Sequence, residues 1–423
     1  MATDVDVQYF SHLNGLTLGN NWGDLIRLLD KALVTGIDFT QITAASIDAQ
    51  GDVHITLSSA HNVMLFQVVE LFGFTPSSLN QKYRIKGVPS ATQLILKPKT
   101  DIVERSITAI GTGKLASLGY EIIFRDTNDV KRVYRAKNPS AQHPFIRVDE
   151  SLASDTGTYT STYAKYAIVG LLEHMDHIDD YENPDALQLP YDATDLAKNW
   201  KITGTGAACV RGWSRWYWTA NGFYWMQDSE SQTAGGRHFT ILGDADAFYF
   251  AVHPYPVATD VGAKMVYGCG IFESALDTLY SPWFLAANFR NVPASSQYAN
   301  GGYSEPFIKG DDAKSYFLLP KEDLLNKAQV DAFVVNPVLS DSTQTLSGTA
   351  TRATNPVAAI QFPILDKDRR LRGNLKHLHY AAKKHTSSNV TTPIIAGSSM
   401  YVWDSCTAYS STGGFYYYLG ELE

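Results

Sequence analysis

Residues 213–225 read WSRWYWTANGFYW, from Trp213 to Trp225, and this stretch decides the fold class. Seven of its thirteen residues are aromatic, and it holds four of the chain's eight tryptophans. Arg215–Trp218 and Phe223–Met226 have the composition of strands. Thr219-Ala220-Asn221-Gly222 between them is a turn signal, because Asn-Gly readily takes positive φ. A hairpin is expected. Strand side chains alternate faces, so Trp216 and Trp218 share one face and Tyr217 takes the other. Two uses of those rings stand. Both faces are buried, since aromatics supply the largest area per residue. Or Trp213, Trp216, Trp218 and Trp225 form a platform for a sugar or a partner protein. The bias of aromatics toward burial and protein interfaces favours the first use.

The rest of the composition agrees with a β protein. A chain of 423 residues has room for two to four domains at roughly 100–200 residues each. Charged residues make up 18%, below the usual ~25%, and Tyr and Gly are abundant. That balance suits sheets and extensive interfaces, where charge is depleted. The net charge of −8 argues against a general nucleic-acid binder, which needs a basic face. No apolar run reaches the ~18 residues of a membrane span. The opening MATDVDVQYF lacks the basic-then-apolar order of a signal peptide. Cys209, Cys269 and Cys406 are odd in number and lack metal-ligand spacing. They fit reduced thiols in a protein made in a cytoplasm.

Taken in order, residues 1–99 form a small β module with one helix. Asn21 is placed to cap a helix over Trp22–Val34. Trp22, Leu25, Ile26, Leu29 and Leu33 lie on one face, and Gly36 is the stop. Ile42–Ile47, Val53–Leu57, Val63–Phe72, Tyr83–Val88 and Gln93–Leu96 read as strands, with a turn at Ala49-Gln50-Gly51-Asp52. Residues 100–290 form a central β-rich body that contains the aromatic hairpin. In it Leu118–Phe124, Lys131–Ala136 and Phe145–Val148 make a meander. Tyr163–His177 mixes strand and helix periods, and both assignments stay open. Phe239–Leu242 and Ala247–Val252 flank a turn at Gly243-Asp244-Ala245-Asp246. Residues 291–358 read as a loop-rich excursion or arm, clearest at Ser340–Pro356. Residues 359–423 supply strands that complete the body, with Met400–Trp403 and Gly414–Leu419 paired. The expected fold is mainly β: the small module with its helix, then a larger sandwich-like or barrel-like body.

The segment Gly23–Gly36, GDLIRLLDKALVTG, resembles the N-terminal motif of a family of tailed-bacteriophage virion proteins. A β module similar to Ala44–Leu96 follows in that family. The resemblance continues through Phe124, Val133–Ala136, Asn138-Pro139 and Arg147-Val148-Asp149. It resumes at the Gly243-Asp244 turn, at Phe362–Leu365, at Arg370–Gly373 and at Leu375–Tyr380. Residues 291–358 and the stretch Glu173–Asp180 depart from the pattern. The resemblance implies a structural part of a phage particle, most plausibly of the tail or baseplate, with collar and head-attached positions as alternatives. It implies assembly in the host bacterial cytoplasm, other virion proteins as partners, and a homo-oligomer.

Two clusters invite chemistry. Glu173-His174-Met175-Asp176-His177, followed by Asp179-Asp180, is the most metal-like. His174 and His177 at i, i+3 would meet on a helix, with Asp176 or Asp180 as a third ligand. The competing reading is a solvated acidic connector. It is favoured, because a working site needs three or four ligands and partners behind them. No bound metal and no cofactor are expected. The basic group Lys367, Arg369, Arg370, Arg372, Lys376, Lys383 and Lys384 suits a solvated face, or an interface with an acidic neighbour subunit, better than nucleic acid. Arg369, Arg370, Arg372 and Lys376 are its centre. No G-x-S-x-G, P-loop, dinucleotide or H-E-x-x-H motif occurs, and a non-enzymatic role is expected. Two other classes compete with a virion part. One is a carbohydrate-binding, host-recognition module that uses the tryptophan platform. The other is a cell-wall hydrolase, since acid pairs alone suffice for a glycosidase.

Overall fold

The computed structural model describes residues 4–151, 166–203, 210–212, 214–219, 234–253, 256, 264–275, 281–289, 317–323, 328–337, 360–366, 368–380, 392–405 and 414–422. These form three main antiparallel sheets and one helix. The mainly β reading is correct.

The N-terminal sheet has seven strands. Their order is Ile37–Asp38, Thr112–Leu115, Val68–Phe72, Lys82–Ser90, Gln93–Pro98, Val53–Leu57 and Ile42–Ile47. Val53, Ile55 and Leu57 are buried while His54 and Thr56 are half-exposed, the alternation of a sheet with one wet face. The N-terminal sheet continues past residue 99. Thr112–Leu115 pairs with both Val68–Phe72 and Ile37–Asp38, so the sheet runs through Leu115. The strand Gln8–Ser11 pairs outside that sheet, with Phe239–Gly243 in another sheet.

The helix is α over Asp24–Leu29 and widens to a π-helix over Asp30–Thr35. Its N-cap is Gly23, in the left-handed region at φ 81, and not Asn21. A Cβ at Gly23 would lie 2.9 Å from the Asp129 carbonyl oxygen, so the close approach of the next sheet explains the glycine. Leu25, Ile26, Leu28, Leu29, Ala32 and Leu33 are buried. Polar groups of the middle sheet grip the rest of the helix. Tyr134 Oη donates to Asp30 Oδ1 at 2.8 Å, and Arg132 Nε to Asp30 Oδ2 at 3.2 Å.

That middle sheet runs Asn288–Phe289, Ser214–Tyr217, Tyr166–Leu172, Phe145–Asp149, Lys131–Ala136, Tyr120–Arg125, with Gln188–Leu189 also beside Tyr166–Leu172. The meander is as expected. Tyr166–Leu172 is a strand buried at every position, which explains the missing amphipathic period. Ser214–Tyr217 is the first half of the expected hairpin, and Phe223–Met226 lies outside the described residues.

The large sheet has thirteen strands. Twelve run in the order Gln8–Ser11, Phe239–Gly243, Ala247–Val252, Met265–Ile271, Trp283–Ala286, Phe317–Asp323, Ala328–Pro337, Ile360–Asp366, Leu371–Tyr380, Gly414–Glu421, Ser399–Ser405 and Thr392–Ala396. Glu273–Ser274 follows directly on Met265–Ile271 yet pairs with Leu371–Tyr380. The sheet therefore curls back on itself. Its inner face holds Tyr249, Ala251, Phe284, Phe317, Ile364, Leu378 and Phe415. On the other face of the same early strands, Ile241, Phe248, Phe250 and Tyr267 pack with the middle sheet. Strands buried on both faces read as continuous apolar runs. The excursion expected at 291–358 contains two paired strands of this sheet, Phe317–Asp323 and Ala328–Pro337. Ser340–Pro356 lies outside the described residues.

Glu150 joins the first two sheets. It follows Phe145–Asp149, is fully buried, and accepts the Gly23 N–H at 2.5 Å and the Ile26 N–H at 2.6 Å. A side chain 124 residues away thus supplies the cap that Gly23 cannot. Burial pushes the Glu150 carboxyl up to about 8, against the two N–H donors that favour its charged form. A folded-state value above the unfolded one means that the proton is held more tightly in the folded protein. The stability it contributes is fully present below the ordinary value of 4.5 and is lost as pH rises through about 8. Glu150→Ala strands two buried helix N–H groups and is expected to cost about 2–6 kcal/mol, at ~1–3 kcal/mol for each orphaned group. Urea denaturation from pH 4.5 to 8.5 should show the wild type weakening with pH and the variant flatter. A wild-type profile that rises across that interval would contradict the assignment.

Candidate functional site

The middle and large sheets meet at the turn Gly243–Asp246, and charged side chains from distant segments converge there. Asp244 Oδ1 accepts the N–H groups of Asp246 and Ala247 at 2.9 and 3.0 Å, which shapes the turn. Its Oδ2 contacts His377 Nε2 at 2.8 Å. Asp246 Oδ1 contacts His143 Nε2 at 2.9 Å, and its Oδ2 takes the Lys376 ammonium. Burial pushes Asp244 up, but the His377 contact outweighs it, and the carboxyl lies below its ordinary value. His143 first, then Lys376, hold the Asp246 carboxyl well below the usual carboxylate range. His377 stands at φ 62, an uncommon conformation for a residue with a Cβ.

Beside this turn lies a cleft of about 580 Å³. Lys82, Lys114, Lys137, Glu70, Glu121 and Tyr120 are among the groups that line it, so both charge signs face the same space. Lys114 pairs with Glu70 at 3.4 Å. Such a lining suits a polar ligand or a chain segment with charges of both signs rather than an apolar molecule. The Tyr120 hydroxyl is buried and has no hydrogen-bond partner among the described residues. Burial, with Cys269 and then Asp244 adding, pushes it well above the usual phenol range. Cys269 is a buried thiol, also pushed up by burial.

Ser140, His143 and Asp246 imitate a nucleophile relay. Ser140 Oγ lies 2.9 Å from His143 Nδ1, and His143 Nε2 lies 2.9 Å from Asp246. A base must offer a free lone pair to the hydroxyl proton. Here Nδ1 already accepts the backbone N–H of Ser140 at 2.8 Å. The contact closes a turn and ties the middle sheet to the large one.

The tryptophans divide. Trp216 and Trp218 are at 0% exposure. Trp216 packs edge-on against Phe248 at 5.8 Å and stacks on Tyr267 at 6.2 Å. Its Nε1–H donates to the Ala286 carbonyl at 3.0 Å. These two rings are core between the middle and large sheets, and the platform reading is corrected for them. Trp213 and Trp225 lie outside the described residues. The basic group divides as well. Arg372 is taken by Asp366 (Nε to Oδ2, 3.0 Å) and Lys376 by Asp246, so neither faces outward as a free cation. Arg369 and Arg370 are exposed beside Leu371, which is 49% exposed. Lys367, Lys383 and Lys384 lie outside the described residues.

The histidine–aspartate stretch is a loop after the strand Tyr166–Leu172, not a helix, so His174 and His177 do not meet at helical spacing. The groups that converge are His174, Asp176 and Asp180, with ligand atoms within 4.8 Å of one another. His174 Nε2 lies 3.0 Å from Asp176 Oδ1, and Asp180 accepts the Asp176 N–H at 2.7 Å. His177 instead accepts the N–H of Asp179 at 3.3 Å. Asp179 is committed to Arg147 at 2.6 Å and Lys131 at 3.0 Å. His174 and Asp176 are exposed, and exposed ligands without a supporting shell hold metals weakly.

Comparison of the sequence with protein-family models and with curated proteins finds no match.

Two outcomes follow for these clusters. Metal analysis of the pure protein should find no stoichiometric zinc. Zinc at one per chain that disappears in His174→Ala would overturn this. Asp246 has a folded-state pKa below its unfolded one, so its contribution is present above the ordinary value of 3.8 and is lost as pH falls through the lowered value. Asp246→Asn should lower the melting temperature at neutral pH and narrow its gap to the wild type under strong acid. An undiminished gap there would show that its charge is not what ties the sheets together.

Proposed function

We propose that the chain is a structural, non-enzymatic component of a tailed-phage particle, most plausibly of the tail or baseplate. It works by symmetric assembly with other virion proteins and with copies of itself. The observation that carries this reading is where the residues of the resemblance go. They are scattered along the sequence, and they gather at the junctions between sheets. Gly23 admits the Asp129 carbonyl, and a Cβ at Gly36 would collide with the Leu115 carbonyl. Asp30 receives Tyr134 and Arg132 of the middle sheet. Asp244 shapes the turn on which the middle and large sheets meet. Residues with such roles maintain a shape, and a virion part is selected for shape. The low charge fraction, 18%, is in keeping with extensive interfaces. Arg369, Arg370 and Leu371 offer a basic rim with an apolar centre.

The cleft beside Asp246 favours a second reading, a host-glycan-binding module, since its lining has polar groups of both charges. That module would use the cleft rather than the buried tryptophans.

Purified particles of the source phage should contain the chain at a fixed symmetric copy number. The isolated protein should sediment as an oligomer, since obligate contacts bury about 2,000 Å² or more. Arg369→Glu combined with Arg370→Glu should weaken that association. A chain that stays monomeric at high concentration and is absent from particles would refute the reading. Saturable binding to isolated host glycan by such a monomer would establish the second.

A further inference from the structure

Lys264 and Asp404 are 140 residues apart, and both side chains are at 0% exposure. Lys264 precedes the strand Met265–Ile271, and Asp404 lies on Ser399–Ser405. These strands are far apart in the order of the large sheet, and the curl brings them together. Lys264 Nζ lies 2.7 Å from Asp404 Oδ1 and 2.9 Å from Oδ2, with Thr240 Oγ1 at 3.0 Å. Tyr417 Oη is 3.5 Å from Oδ2. His238 is near enough to feel both charges, and its Nδ1 is buried without a hydrogen-bond partner among the described residues. Phe239, Trp403 and Tyr417 beside these groups are buried.

We propose that Lys264 and Asp404 are joined by an intramolecular amide bond, formed after folding with loss of one water. The inference does not rest on the proposed function. A charged pair held out of water is costly for each ion. Moving one proton from Nζ to a carboxyl oxygen along the existing contact yields a neutral amine and a neutral acid. The neutral amine is a nucleophile already in contact with its electrophile, so no translational entropy remains to be lost. Nζ forms a bond to Cγ. A second proton passes from nitrogen to the departing hydroxyl, the Cγ–O bond breaks, and water leaves. Ammonium plus carboxylate become amide plus water, and nothing is oxidised or reduced.

Nζ is nearly equidistant from the two carboxylate oxygens, and a turn of the carboxylate about χ2, a soft torsion for aspartate, presents Cγ to it. Tyr417 Oη is positioned to hold the departing oxygen. Burial, with the Lys264 charge adding, holds the nearby His238 imidazole below its ordinary pKa. In a dry core the released water does not return, and the product removes two buried charges. The bond would pin one edge of the curled sheet to its opposite arm.

The test is the intact mass of the full chain, purified after native folding and then denatured. The expected mass is that of the sequence less one water, with a branched peptide joining Lys264 to Asp404 in tandem mass spectrometry. Lys264→Arg keeps the charge pair but should restore the unmodified mass. Wild-type protein that keeps the full mass of its sequence after prolonged incubation in the folded state would overturn the proposal. So would a water loss that persists in Lys264→Arg, or one that maps elsewhere. The wild-type measurement decides even if the variant fails to fold.

Discussion

Arg84 is the constraint on which the rest depends. It is fully buried on the strand Lys82–Ser90 and meets no carboxylate at hydrogen-bond distance among the described residues. Its guanidinium donates instead to the carbonyls of Asp4 (2.9 and 2.7 Å), Val7 (2.9 Å), Phe66 (2.6 Å) and Leu419 (2.9 Å). Five donors in a rigid fork are thus satisfied by backbone from four places. Burial lowers its pKa to about 10, so it stays charged at neutral pH. A buried cation without these acceptors would be prohibitively unfavourable. The N-terminal segment, the N-terminal sheet and the C-terminal strand Gly414–Glu421 must therefore assemble together. Gln8 repeats the theme, donating to the Val68 and Ala116 carbonyls at 2.8 and 2.7 Å.

The other junctions use the same device. The chain is poor in charge, yet its buried polar groups cluster where sheets meet: Glu150 at the helix N-terminus, Arg132 and Tyr134 on Asp30, His143 and Lys376 on Asp246. Each sits in a site that an apolar side chain would fill without choosing a register. A satisfied polar network accepts one arrangement, because every alternative leaves a buried group unpaired. Three sheets with large apolar faces could dock in several ways, and these contacts select among them.

The curl of the large sheet follows from the same economy of edges. A flat sheet of thirteen strands would leave wide apolar faces open. Curling lets Phe284, Phe317, Leu378 and Phe415 meet around one inner core, while the outward side of Phe239–Ile271 remains free to take Trp216. Among the described residues, rings such as Trp216, Phe248, Phe284 and Phe415 are buried within the chain.

The sequence by itself determined the local elements. Alternation at Val53–Leu57, turn residues at Asp48–Asp52 and Gly243–Asp246, and helical spacing at Leu25, Ile26, Leu29 and Leu33 are readable because near neighbours impose them. Only the tertiary structure decided where the helix finds its cap, which sheet takes Gln8–Ser11, and where the N-terminal sheet ends. It also decided that Tyr166–Leu172 is a strand, since a segment buried on all sides shows neither period. The same limit governed the sites. The tryptophans, the basic group and the histidine–aspartate stretch were visible as local concentrations. Whether each is core, paired or exposed depended on residues well outside the local stretch, such as Phe248 on another sheet for Trp216 and Asp246, 130 positions away, for Lys376. Arg84, Glu150 and the Lys264–Asp404 pair left no local signal, because what makes each special is a partner brought by the fold. Short-range sterics and periodicity are written in neighbouring residues, whereas desolvation and ion pairing are properties of the space the folded chain encloses.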